Sequence, residues 1–176
     1  GIRDRRTVST TLNVGELLNL VGLSTGVVLY AMLLAMVVRA GRTPGLRSGF
    51  DPLLLLTSIL GLIWNLCALP AYELPKMGFE GPFPSLAALG FGALGFLPAV
   101  VVHSVLRDQR HNVRGATKVG LMVVAYAVSG VAAVLHVQAA VTSAPVPSAV
   151  GMRLLTYTFV ALVVPLIAVT RGRPGA

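Results

Sequence analysis

Residues 85–107 read SLAALGFGALGFLPAVVVHSVLR, and they decide the fold of the chain. The stretch carries no charged side chain before its last residue, Arg107. A helix of this length is about 34 Å long, which exceeds the bilayer's hydrocarbon core of about 30 Å. Small residues recur at spacings of four, three and four: Ala88, Gly92, Gly95 and Ala99. Because such residues share one helix face and let another helix approach closely, this face is predicted to be a packing seam.

The composition places almost the whole chain in a membrane. Of the 176 residues, 55% are hydrophobic and 11% are charged, whereas a soluble domain carries about 25% charged residues. The net charge is +8, but the basic residues lie in short segments between apolar runs, where they suit topology and lipid headgroups. No basic helix lies outside those runs, so nucleic acid is not predicted as a partner. The single cysteine, Cys67, forms no internal disulfide.

Four further apolar stretches complete an all-α integral membrane bundle of five transmembrane helices. The predicted organisation is a polar N-terminal segment at 1–16, a membrane domain at 17–170 and a tail at 171–176. The spans are predicted, by length and hydropathy, at about 17–38, 52–71, 85–106, 119–140 and 150–170. Asp51 and Pro52 suit the start of the second helix, since Asp caps a helix and Pro is tolerated in its first turn.

The distribution of basic residues predicts the orientation. Segments 39–51 and 107–118 and the C-terminal tail lie on one side and carry nine Lys and Arg residues. The N-terminus and segments 72–84 and 141–149 carry four, three of which are N-terminal arginines that oppose the trend. Cytoplasmic loops are enriched in Lys and Arg. The expected topology is therefore N-terminus outside and C-terminus inside.

Other helices carry packing features as well. The fourth span repeats the spacing of four, three and four at Ala125, Ser129, Ala132 and His136. We therefore expect the third and fourth helices to pack seam to seam. The first span holds a GxxxG pair, Gly22 and Gly26. The second holds Trp64 and Asn65, and the Asn65 amide is predicted to form an interhelical hydrogen bond in preference to binding a ligand.

Three histidines are candidates for ligands. His103 and His136 lie near opposite ends of antiparallel spans, about 25–30 Å apart, so they cannot share one haem. His111 lies in an arginine-rich loop, and no metal site is predicted there. His103 and His136 each follow an alanine by four residues, in Ala99-Val-Val-Val-His103 and Ala132-Ala-Val-Leu-His136. This pattern is similar to the pigment-ligating pattern of light-harvesting polypeptides, so ligation of a tetrapyrrole pigment stays an alternative to the favoured interpretation, an interfacial hydrogen-bonded histidine.

Nothing in the sequence predicts catalysis. No acidic residue lies deep in a span, so a proton or cation relay has no evident carrier. The chain contains no GxxxxGK, HExxH, GxSxG or CxxC string. The chain is therefore not expected to be an enzyme.

Three stretches resemble a known family: residues 51–74, DPLLLLTSILGLIWNLCALPAYEL; residues 85–108; and residues 152–164, MRLLTYTFVALVV. They are similar to the N-terminal membrane sensor region of a group of bacterial histidine kinases, and the likeness extends over about residues 15–170. The resemblance implies the first five of seven membrane helices, without the phospho-accepting helix and the ATP-binding domain. It implies either a fragment of a sensor kinase or a stand-alone relative of its sensor domain.

Two functions are therefore expected. The first is a non-catalytic accessory or structural subunit of a larger bacterial membrane complex, photosynthetic or respiratory, which the lack of an output domain favours. The second is a sensory input domain of a two-component histidine kinase, which the resemblance favours. In both, the chain lies in the bacterial cytoplasmic membrane as a multi-pass protein. The expected partners are membrane lipids and other transmembrane subunits; bound lipid is expected, no cofactor is required, and a pigment is the alternative ligand.

Overall fold

The chain forms five long helices in the computed structural model, which describes residues 14–42, 51–108 and 115–171. The helices are α1 (Val14–Arg42), α2 (Pro52–Glu73), α3 (Phe83–Asp108), α4 (Gly115–Val141) and α5 (Ala149–Arg171), with a short 3-10 helix at Pro75–Met77. Each of the five is long and apolar enough to cross a membrane. The described residues contain no strand. The predicted all-α fold with five candidate spans is thereby confirmed.

The helices extend a few residues past the predicted spans, and some predictions lie outside the described residues. These are most of the polar N-terminal segment (1–13), the tail beyond residue 171, and the loop residues 43–50 and 109–114. His111 is among them. We call the end of the bundle where α1, α3 and α5 finish the basic end, because the described arginines 39, 42 and 107 lie there.

Local sequence signals account for the start of α2 and the end of the 3-10 helix. Asp51 caps α2 as expected, since its carboxylate accepts a hydrogen bond from the Leu53 backbone N–H at 2.9 Å. At the other end, Gly78 has a φ of 80° and closes the 3-10 helix in a left-handed conformation that glycine adopts without strain. α3 continues through Pro98 and remains one helix from Phe83 to Asp108.

The helices pack as a row in chain order. α1 packs on α2, α2 on α3, α3 on α4, and α4 on α5, with a smaller contact between α3 and α5. Among the described residues, α1 and α5 share no extensive contact. In the most apolar 18-residue stretch of each helix, 39% of α3 is buried by the rest of the described chain, but only 11% of α1 and 11% of α5. α3 is therefore central, and α1 and α5 form two open edges.

Small residues make the central contact between α3 and α4. The structure places the two predicted seams in the interior, with the following side chains buried: Ala88, Ala99, Ala125, Ser129 and Ala132. The Ser129 hydroxyl donates to the backbone oxygens of Gly95, at 2.8 Å, and of Ala125, at 3.0 Å. A Cβ at Gly92 would lie 3.4 Å from the Ala133 Cβ, so the helices meet there at close range. Residues of both predicted seams therefore lie where α3 and α4 approach each other closely.

The contact between α1 and α2 differs from the prediction in two respects. Gly26 lies directly against the Asn65 side chain, whereas a Cβ at Gly22 would meet nothing within 4 Å. Only one residue of the GxxxG pair therefore belongs to this contact. The Asn65 amide donates to the Gly61 backbone oxygen of its own helix at 2.7 Å, so the expected interhelical hydrogen bond is not the bond it forms. The Asn65 amide N–H thus bonds within α2, and the side chain contacts α1 only by packing against Gly26.

Candidate functional site

His136 is a fully buried polar side chain, with 0% exposure, at the end of the bundle opposite the basic end. Its Nδ1 accepts a hydrogen bond from the Ser148 backbone N–H at 3.1 Å. An Nδ1 that accepts carries no proton, so the neutral ring holds its hydrogen on Nε2. That Nε2 is buried and has no hydrogen-bond partner among the described residues. The bond through Nδ1 joins α4 to the residue that precedes α5.

An aromatic chain connects this histidine to the rest of the bundle. The rings of Trp64 and Phe91 meet edge to face with centroids 5.0 Å apart, and those of Phe91 and His136 lie 5.9 Å apart. Three helices, α2, α3 and α4, each contribute one ring. Trp64 therefore packs between helices. These ring contacts stabilise the interior at this end of the bundle more than alanines alone would.

His103 lies toward the basic end and is half-buried. Its Nδ1 is 3.2 Å from the Tyr126 hydroxyl of α4, and the two rings meet at an interplanar angle of 88°. His103 and His136 have different neighbours in different parts of the bundle, as expected from their positions near opposite ends of antiparallel spans. Each makes one hydrogen bond to a neighbouring segment, which agrees with the favoured interpretation of interfacial, hydrogen-bonded histidines.

The alanines that precede these histidines are packed against other parts of the chain. Ala132 and Ala99, each one turn before a histidine, have 0% exposure. A Cβ added at Gly151 of α5 would lie 2.9 Å from the His136 Cε1 and 3.3 Å from the Ala132 backbone oxygen. Ala99 packs in a cluster with Leu162 of α5. The room beside Ala132 is thus used by α5, and Ala99 lies within a buried cluster, while ligation of a pigment at either histidine stays a prediction.

An ion pair at the basic end was not anticipated. The Arg107 guanidinium donates two parallel hydrogen bonds to the Asp51 carboxylate, at 2.8 and 2.6 Å. Arg107 lies in the last turn of α3 and Asp51 caps α2, so the pair joins neighbouring helices at the basic end. The guanidinium, aided by the Leu53 backbone N–H, lowers the pKa of Asp51 from 3.8 to about 2. The signal that could have found it is the placement of opposite charges at the same end of two antiparallel neighbours.

A notch of about 220 Å³ lies between α2 and α3 and is lined in part by Asp51. A second hollow, of about 230 Å³, is almost wholly apolar and lies over the face of α3 that includes Gly92. A third, of about 320 Å³, lies at the opposite end, beside Tyr72 and Phe83. Within the described residues, no group of three or more His, Cys, Asp or Glu side chains is arranged to hold a metal ion. Of these three hollows, the notch is lined by both a charged side chain and apolar ones.

The comparisons with known proteins identify no relative: no protein-family model, curated protein or solved structure matches the chain significantly.

Proposed function

We propose that the chain is a non-catalytic accessory or structural subunit of a larger bacterial membrane complex, photosynthetic or respiratory, derived from a sensor-type membrane domain. The observation that carries the proposal is the open row of helices, in which α1 and α5 are each largely uncovered by the rest of the described chain. Two open edges suit a domain that lies between the helices of other subunits. Gly22 supports an accessory role, because its surface on α1 is open and a helix of another subunit can approach it closely.

The proposed location is the bacterial cytoplasmic membrane, with the N-terminus outside and the C-terminus inside. Support comes from the excess of Lys and Arg on the side of segments 39–51 and 107–118, which is typical of cytoplasmic loops. Arg39, Arg42 and Arg107 lie at that end of the described helices. A reporter fused after residue 176 tests the orientation: alkaline phosphatase is expected to be inactive there, and an active fusion would reverse it.

A second candidate is the sensory input domain of a histidine kinase, and the way α5 is held favours it. The start of α5 is tied to His136 through Ser148, while most of its length is uncovered. A ligand or mechanical input that shifts α5 along α4 would also displace the far end of α5, near Arg171. Such a shift needs two packings of nearly equal free energy, which small contacts along α5 would allow.

Site-directed cross-linking at the two open edges tests the first candidate. In a Cys67→Ala background, single cysteines replace Met32 on α1 and Val160 on α5, which are 57% and 65% exposed. Val131 on α4, 52% exposed, is the matched control away from the edges. In native membranes, an accessory subunit is expected to give discrete adducts with other membrane subunits at both edges, in fixed stoichiometry after purification, and none at Val131.

Other results would reject that function. A chain that purifies alone or as a homodimer, and that gives no adduct at either edge, is not an accessory subunit. Adducts confined to further transmembrane helices of its own polypeptide would support the sensory domain instead.

A further inference from the structure

We propose that the notch between α2 and α3 at the basic end binds one phospholipid whose headgroup carries both a phosphate and a primary ammonium, namely a phosphatidylethanolamine. This inference goes beyond the proposed function and holds for either candidate. It rests on the shape of the notch, its depth in the membrane and the two charges at its mouth.

The notch has the form of a lipid site, with a polar mouth and apolar walls. It holds about 220 Å³, and its lining comes from α2 and α3 and from the residue that caps α2: Asp51, Leu53, Leu54, Thr57, Val100, Val101, Ser104 and Val105. Asp51 immediately precedes the α2 span, and Arg107 ends the α3 span. The mouth therefore lies at headgroup depth, and the valine and leucine walls extend into the hydrocarbon region, where an acyl chain would lie.

The groups at the mouth match a phosphate. Arg107 is paired with Asp51, but its side chain is 42% exposed, so its positive charge reaches the headgroup region. Ser104 is exposed in the notch one turn before Arg107, and its hydroxyl forms no hydrogen bond to any residue that the structure describes. A phosphate beside Ser104 would accept from this hydroxyl and lie near the guanidinium.

The carboxylate selects among phospholipids. Asp51 is 36% exposed, and its oxygens can accept from a primary ammonium. An anionic headgroup such as phosphatidylglycerol would meet attraction at Arg107 and repulsion at Asp51. Phosphatidylcholine has the same charges as phosphatidylethanolamine, but its quaternary nitrogen has no N–H to donate. A headgroup with a phosphate and a primary ammonium satisfies both groups at the mouth.

Native mass spectrometry of the full chain tests the assignment. The detergent-solubilised protein is delipidated and then incubated with an equimolar mixture of phosphatidylethanolamine, phosphatidylcholine and phosphatidylglycerol of matched acyl chains. We expect one phosphatidylethanolamine to be retained in preference to the other two. Loss of a charge-assisted contact in Arg107→Gln should reduce its retention about tenfold.

Three variants separate headgroup recognition from folding. Asp51→Asn keeps a good helix cap and should lose the preference over phosphatidylcholine. Val101→Trp fills the notch at a position that is 61% exposed, so the fold tolerates it and lipid retention should fall. Arg39→Gln removes a positive charge from the same end, on α1, and should leave retention unchanged.

The proposal is overturned if phosphatidylglycerol is preferred, if the three lipids are retained equally, or if Val101→Trp changes nothing. It is also overturned if a photoreactive residue at position 101 captures a protein helix instead of lipid in native membranes, because a partner would then occupy the notch. None of these outcomes depends on whether the edges at α1 and α5 bind other subunits.

Discussion

Replacing Gly151 by alanine is expected to push α5 away from α4. The added Cβ would lie 2.9 Å from the His136 Cε1, so the two helices must separate by about 0.5 Å to reach the 3.4 Å of an ordinary contact. His136 has little room to move, since it is fully buried and its ring packs against that of Phe91. Overpacking of this kind costs about 1–3 kcal/mol. Weakening the hydrogen bond from Ser148 to His136 adds about 1 kcal/mol, so we expect a total loss of about 2–4 kcal/mol.

The free energy of unfolding in mixed micelles, measured by titration with a denaturing detergent, checks this value. Gly130→Ala is the matched control on α4, since its Cβ would meet nothing within 4 Å, and it should be neutral or stabilising by up to about 1 kcal/mol. In a His136→Ala background, the cost of Gly151→Ala should fall by at least half. A Gly151→Ala variant as stable as the Gly130→Ala protein, or one whose cost is unchanged without the imidazole, refutes the proposed contact.

Two further predictions concern the α1–α2 contact and the basic end. Gly26→Ala should destabilise the protein by about 1–3 kcal/mol, because its Cβ would overlap the Asn65 side chain. Gly22→Ala is the control and should not destabilise it, because the space around Gly22 is open. Equal effects of the two substitutions in detergent titrations would contradict this difference. The Asp51–Arg107 pair should stabilise the fold above pH 3.8 and lose that contribution as the pH falls through about 2, because the pKa of Asp51 is lower in the folded state. Since both side chains are more than a third exposed, we expect about 1 kcal/mol, and Asp51→Asn should show no such pH dependence in this window.

The sequence predicted the features that depend on one helix at a time. Span lengths follow from apolar runs, the α2 cap follows from Asp51 and Pro52, and the seams follow from helical spacing. The seam on α4 was located through Ser129, which the structure places against the α3 backbone at Gly95. Such features are readable because a helix's periodicity fixes which residues share a face before any neighbour is known.

Features that depend on the register between helices were missed. The pairing of Asp51 with Arg107 joins positions 56 apart in the chain, and it forms only because α2 begins at the depth where α3 ends. Gly22 and Gly26 look alike in the sequence, but only Gly26 lies at the contact with α2. Asn65 shows a third limit, since an amide can bond its own helix when the carbonyl four residues earlier is within reach.

The pattern of an alanine one turn before a histidine shows how one sequence signal can have two structural meanings. At Ala132 and His136 the small side chain does leave room beside the ring, as a flat ligand would need. The room is taken by the backbone of α5 at Gly151, where any larger residue would collide with the imidazole. Whether such a pattern marks a ligand site or a helix contact therefore depends on a residue in another helix. In this chain, Gly151 is the residue that favours the helix contact. It lies three residues after Ser148, and the Ser148 hydroxyl accepts a hydrogen bond from the Gly151 N–H at 3.4 Å.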